Sequence, residues 1–217
     1  MSSIEVNLID SAGGDISVVN SARVSFNKEV SSMTGRDEKL IKYLAEHQHM
    51  TPFRHNFIQL RCKVPLFLAR QLMKHQAGLT WNEESRRYID YLPEFYKPEE
   101  WRKRPDKSIK QGSSEGVSEG VNAVVDASYA ATLGMCINQY KASLERGVAP
   151  EMARMILPQS MMVNFIWTGN LLAFSHVYNL RSGDGAQVEA REFAELLSNA
   201  IKPAFPISWE ALTSQKE

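Results

Sequence analysis

Apolar and polar residues alternate through residues 4–9, the period-two pattern of a strand with one covered face. Asp15 or Ser17 then offers a cap for a short helix reaching Ala22. Residues 37–48 carry Leu40, Ile41, Leu44 and Ala45 at helical spacing, which predicts an amphipathic helix. Alternation returns in residues 56–64, where Phe57, Ile58, Leu60, Cys62 and Val64 predict a second strand. Pro65 suits the first turn of a helix, and PLFLARQLMKHQ sets Leu66, Ala69 and Met73 on one face. Gly78 is the expected stop, and WNEESRRY reads as a loop or turn.

Residues 104–118 are the most polar, Gly/Ser-bearing stretch and read as a surface loop. A long helix is predicted over 121–145, closed by Gly147. Pro150 opens a short helix, EMARMIL, that Pro158 stops. Residues 161–168 are so apolar that strand and helix fit equally. Residues 170–180 and 186–201 read as helices, and there is no internal repeat. The sum is an α/β (α+β) chain: a helix-rich single domain over 1–217 with a small mixed or antiparallel sheet. Several helices are apolar on more than one face, which points to subunit contacts.

Composition narrows the classes. The chain has 217 residues and 43% hydrophobic residues, enough for a packed core. Lys plus Arg and Asp plus Glu both number 25, so the net charge is zero. That balance disfavours a nucleic-acid coat or a polybasic membrane binder, and leaves room for a local cationic pocket. The first residues lack the basic-then-apolar order of a signal peptide, and no apolar stretch is read as approaching the roughly 20 residues that span a bilayer. A cytoplasmic, reducing setting is expected. Cys62 and Cys136 are too few for a disulfide framework and have no metal-ligand spacing, so both read as buried or half-buried thiols.

Candidate chemistry gathers in four places. The densest polar group is Gln71, Lys74, His75 and Gln76, then Asn82, Glu83, Ser85, Arg86 and Arg87. Guanidinium forks with a serine hydroxyl can hold a phosphate, although a solvated helix end explains the same composition. Arg154 stands on an otherwise apolar helix and needs an anionic partner, from the protein or from a ligand. Arg181 sits where a helix meets a Gly-bearing turn, a place cations also occupy for the macrodipole alone. His47, His49 and His55 fit no ordinary zinc spacing, and no metal is expected. There is no Gly-rich phosphate loop.

Taken in order, seven pieces resemble the flavin-dependent thymidylate synthases. They are ARVSF at 22–26, HxHMTPFxH at 47–55, ARQxxKHQ at 69–76, NEESRRY at 82–88, ARMILP at 153–158, FIWTGN at 165–170 and NLRSGDGAQ at 179–187. The resemblance implies that family's fold and a homotetramer whose active sites draw on several subunits. It implies FAD as cofactor, with NADPH and 5,10-methylenetetrahydrofolate as co-substrates and dUMP as the nucleotide. No nucleic-acid or membrane partner is implied.

Residue by residue, it implies flavin contacts from Ser25, His49, Thr51, Lys74, His75, Gln76, Asn170 and His176. It implies nucleotide contacts from Gln71, Glu83, Ser85, Arg86, Arg87, Arg154 and Arg181, with Arg181 placed catalytically against the pyrimidine. The chain departs from the family's Arg-His-Arg, seven residues, then Ser: it has Lys74, His75, Gln76, then eight residues before Ser85. The extra residue is expected in the turn around Gly78 and Trp81. Arg54 stands where many members carry a glutamate, and Leu172 and His176 stand where the family offers Arg and Asn. Arg86 replaces a usually small residue. These departures keep two rivals open: a flavin-dependent 5-hydroxymethylase of dUMP or dCMP, and a non-catalytic nucleotide-binding homologue.

Overall fold

The alternating stretches and the apolar one before Asn170 come together in a single antiparallel sheet. The computed structural model describes residues 2–89, 91–106 and 112–214. Among these, strands β1 (Glu5–Ala12), β2 (Phe57–Pro65), β3 (Leu79–Glu83) and β4 (Met162–Gly169) lie in the order β1-β2-β4-β3. β4 decides the ambiguity of residues 161–168: Val163, Phe165 and Trp167 are buried while Asn164, Ile166 and Thr168 are less so, the period of a strand. Cross-strand pairs Cys62↔Phe165 and Leu60↔Trp167 set the two core rows side by side.

Helices α1 (Asp15–Arg23), α2 (Gly35–Glu46) and α3 (Leu66–Leu72) alternate with the first strands, and α4 (Glu119–Glu145) and α5 (Pro150–Ala153) precede β4. After it come α6 (Leu171–Arg181), α7 (Val188–Ile201) and α8 (Pro206–Thr213). The core joins the buried sheet face to α6 and α7, with Trp167 packed edge-on to Phe174 and tilted against Phe193. The sequence pattern does not announce α8; Trp209 is its fully buried anchor.

Several expectations are corrected. WNEESRRY is no simple loop: its first residues finish β3, whose five pairs run from Leu79↔Gly169 to Glu83↔Phe165 without a slip. Trp81 stacks on Phe165, ring centroids 3.5 Å apart, within a regular edge strand rather than in a turn. α3 stops at Leu72, and Lys74, His75 and Gln76 lie in the turn that reverses the chain into β3. Gly78 has φ +75°, and Gly169 passes so close that a Cβ there would meet the Gly78 carbonyl at 2.6 Å. The flanks of residues 104–118 are paired, with Lys103 N donating to Glu115 O and Val117 N to Trp101 O; residues 107–111 lie outside the described ones. α4 is, by length and composition, apolar enough to cross a membrane, against the expectation of no such stretch. Its apolar residues are spread around the helix, with Val121, Val124 and Met135 exposed, while Asp126 accepts from Lys97 Nζ and Trp101 Nε1.

Neither Asp15 nor Ser17 takes the N-cap position of α1, which belongs to Gly14. Ser17 Oγ exchanges hydrogen bonds with the Gly14 backbone. Asp15 instead caps α8, accepting Ile207 N at 2.9 Å and Ser208 N at 2.8 Å. Asp15→Ala leaves both amides without partners, so it is expected to cost about 2–3 kcal/mol and lower Tm by about 4–10 °C. A thermal melt within about 1 °C of the parent would show that the cap contributes nothing.

Candidate active site

One node joins residues from two motifs far apart in the chain. Arg181 ends α6, and its Nε donates to His75 Nε2 at 3.1 Å while Nη2 donates to the Gln71 carbonyl at 3.0 Å. The guanidinium is half-buried, and it lines a cleft of about 660 Å³ with Gln71, Leu180, Ala186 and Gln187. Gln71 Nε2 donates to Gln187 Oε1 at 2.7 Å. Arg181 is therefore more than a cation at a helix end: its fork ties His75, expected to meet the flavin, to Gln71, expected to meet the nucleotide.

His75 accepts at Nε2, so that nitrogen carries no proton in this arrangement. Burial, then the positive charges of Arg181 and His176, pull its pKa below the usual 6.5. The neutral form is the one favoured by folding, so the contact is complete above pH 6.5 and is lost as pH falls through the depressed value. An acid limb in the kcat/KM profile below pH 6.5 is expected, and His75→Gln, which keeps an acceptor but cannot titrate, should flatten it. A limb unchanged in that variant would assign it to another group.

The residues expected to bind phosphate lie apart from this node. Ser85 Oγ accepts from Arg87 Nε at 3.3 Å, which holds the exposed Arg87 fork beside a hydroxyl that can still donate. Arg86 has turned inward: it is 5% exposed, donates from Nη1 to the Tyr91 carbonyl and stacks over the Tyr91 ring at 4.7 Å. Glu83 accepts from Trp81 Nε1 at 3.3 Å. Arg154 is exposed because α5 lasts one turn and its apolar neighbours also face out: Met152 is 59% and Met155 78% exposed. Arg154, Glu83 and Arg86 share a polar cleft of about 380 Å³ with Arg70 and Glu151. Arg154 and Arg181 thus line different cavities of one protomer.

The residues expected to contact flavin divide in the same way. Arg54, Asn170, Leu172 and His176 line a small cavity of about 210 Å³ beside Gly78. Asn170 Oδ1 is committed to capping α6 through Ala173 N, and Leu172 is buried. Ser25, His49, Thr51, Lys74 and Gln76 are exposed, Ser25 within a 3₁₀ turn and Thr51 at the start of another. His49 sits with Tyr43 and His47 in an aromatic group, Tyr43 and His47 centroids 4.2 Å apart. Among the described residues no three His, Cys, Asp or Glu side chains are placed to hold a metal ion. Cys62 is fully buried and its thiol pKa is pushed far up by burial; Cys136 is half-buried on α4.

Sequence reasoning missed a cavity of about 520 Å³ walled by Phe67, Tyr96, Trp101 and Tyr129, with Arg102 and Glu189 at its polar side. Glu189 is 2% exposed and accepts from Arg102 Nη2 at 2.6 Å. The only signal available was the charge two residues after Gln187, at the start of a predicted helix.

The chain is 37% identical to the flavin-dependent thymidylate synthase of Kosmotoga olearia over 206 residues, covering 95% of this chain and 88% of that one. It is 36% identical to a flavin-dependent thymidylate synthase of Thermus thermophilus, covering 95% and 74%. Among solved structures, the UMP/dUMP methylase PolB from Streptomyces cacaoi, bound with 5-Br dUMP, superposes with a TM-score of 0.88 at 30% identity, covering 99% and 96%. With the family profile described as thymidylate synthase complementing protein matching residues 7–207, this chain belongs to that family.

Proposed function

We propose that this protein is a flavin-dependent thymidylate synthase: it converts dUMP to dTMP, with the carbon from 5,10-methylenetetrahydrofolate and the hydride from FAD reduced by NADPH. The observation that carries the reading is the Arg181 fork, which holds Gln71 and His75 together in a chain 37% identical to such an enzyme. The residues fit the cofactor in donor chemistry: Arg54 and Lys74 are exposed and make no ion pair among the described residues, so both are free to meet a pyrophosphate. Bound flavin supplies the hydride, and the protein supplies position and charge.

The steps left to the chain follow from its side chains. Ser85, Arg87 and Arg154 bind the phosphate through a hydroxyl and two guanidinium groups. Arg181 lies against the pyrimidine, where a half-buried cation stabilises negative charge on a ring oxygen as C5 becomes nucleophilic. No thiolate is needed for that activation, and Cys62 is buried too deeply to provide one. The exposed apolar surface of α4 and of Met152 and Met155 supports a homotetramer in which one chain's Arg154 meets another's Arg181.

The test is incubation of purified protein with dUMP, methylenetetrahydrofolate, FAD and NADPH, followed by the mass of the nucleotide product. dTMP supports the reading. A 5-hydroxymethyl product, or turnover of dCMP instead, replaces it with the hydroxymethylase; no product from either nucleotide leaves the non-catalytic homologue.

A further inference from the structure

We propose that Arg102, Glu189 and Gln187 fix which way the Gln71 carboxamide faces, making Gln71 a hydrogen-bond acceptor toward the nucleotide. The proposal rests on the assignment of Gln71 to the nucleotide site. Glu189 is buried, and its Oε1 accepts both Arg102 Nη2 at 2.6 Å and the Tyr96 hydroxyl at 3.2 Å. Held beside that guanidinium, the carboxyl stays below the usual carboxylate range despite burial. An ionised carboxylate offers lone pairs and no proton. Its second oxygen, Oε2, is shut away from solvent with no hydrogen-bond partner among the described residues, and Gln187, two residues earlier in the chain, lines the same cavity and helps to hold the carboxyl's pKa down.

This sets a direction for the amides. Gln187 must turn its NH₂ toward Glu189 and its Oε1 away. That Oε1 accepts Gln71 Nε2 at 2.7 Å. Flipping Gln187 would set its oxygen against the carboxylate; flipping Gln71 would set two oxygens together. With Nε2 turned to Gln187, the Gln71 acceptor Oε1 is the atom left facing away from that amide, on a residue lining the same cleft as Arg181. A ligand hydroxyl or ring N–H is accepted there, and a lone pair in the same place is rejected. Gln187 and Glu189 are positioning residues: they act through Gln71. Gln187 also walls the aromatic cavity of Tyr96 and Trp101, so the relay runs along the partition between the two spaces.

The test measures Kd and KM for dUMP, and kcat, in the full-length enzyme. Glu189→Gln is expected to raise both binding constants by about tenfold or more with kcat within about threefold, since the amide at 189 no longer dictates a direction. The exchange pair Q187E/E189Q keeps the total charge and restores the direction, because a carboxylate at 187 accepts from both neighbours; it should return dUMP binding to within about threefold of the parent. An unchanged Kd in Glu189→Gln, or an exchange pair no better than the single variant, overturns the relay. If Glu189→Gln does not fold, Gln187→Met reads the same step: weaker dUMP binding supports the relay and parental binding refutes it. Gln71→Leu separates the two levels, because parental binding there sinks the nucleotide assignment itself.

Discussion

Arg181→Ala is expected to slow dTMP formation by about 10²–10³-fold, the loss seen when one preorganised group facing a developing oxyanion is removed. The protein should still take up flavin and stay yellow, because the proposed pyrophosphate partners, Arg54 and Lys74, lie elsewhere. The size of the effect follows from placement. The guanidinium is half-buried and locked by two bonds, to His75 Nε2 and to the Gln71 carbonyl, so it does not reorient when charge appears on the ring. Arg181→Lys is the informative partner. It keeps the charge but not the planar fork, so it cannot hold both contacts, and an intermediate rate is expected. The measurement is single-turnover product formation beside the flavin absorbance spectrum. Parental rates in the alanine variant would remove Arg181 from the chemistry; loss of flavin together with rate would make it a structural brace.

What the sequence disclosed and concealed divides along physical lines. Ile58, Leu60, Cys62 and Val64 repeat every second residue and are buried to zero exposure, so β2 was readable from periodicity alone. β3 was not, because an edge strand of LTWNE has a polar half and a glycine before it, and its strand state comes from pairing with β4. The end of α3 was hidden for the same reason. ARQLMKHQ has good local helix propensity, yet the β3–β4 pairing requires the chain to reverse after Leu72. At the site, Gln71, His75 and Arg181 were named from motifs 106 and 110 residues apart, and they touch. Arg154 was read as a cation needing an anionic partner on an otherwise apolar helix; those apolar neighbours are exposed, a pattern that fits a proposed subunit contact. Arg86 carried the charge of a phosphate ligand but is consumed by Tyr91, a carbonyl and ring contact no spacing foretells.

The separation of Arg154 from Arg181 leads to the second large effect. If a catalytic centre needs Arg181 from one chain and Arg154 from another, Arg181→Ala and Arg154→Ala proteins are each nearly inactive alone. Mixed, dissociated and reassembled at equal amounts, they should recover about a quarter of parental activity, the fraction of centres that draw the intact arginine from both contributors when chains combine at random. The recovery has a structural basis in the exposed faces of α4 and α5, where Met135 is 66%, Val124 70% and Met155 78% exposed in the protomer. Apolar surface of that extent marks an interaction site, and the proposed tetramer would cover it. Introducing a charge there, as in Val124→Glu, should abolish recovery in the same mixture while each chain keeps its own fold, read by far-ultraviolet circular dichroism. If instead both arginines came from one chain, every reassembled centre would contain one lesion or the other, and the mixture would stay as inactive as its parts.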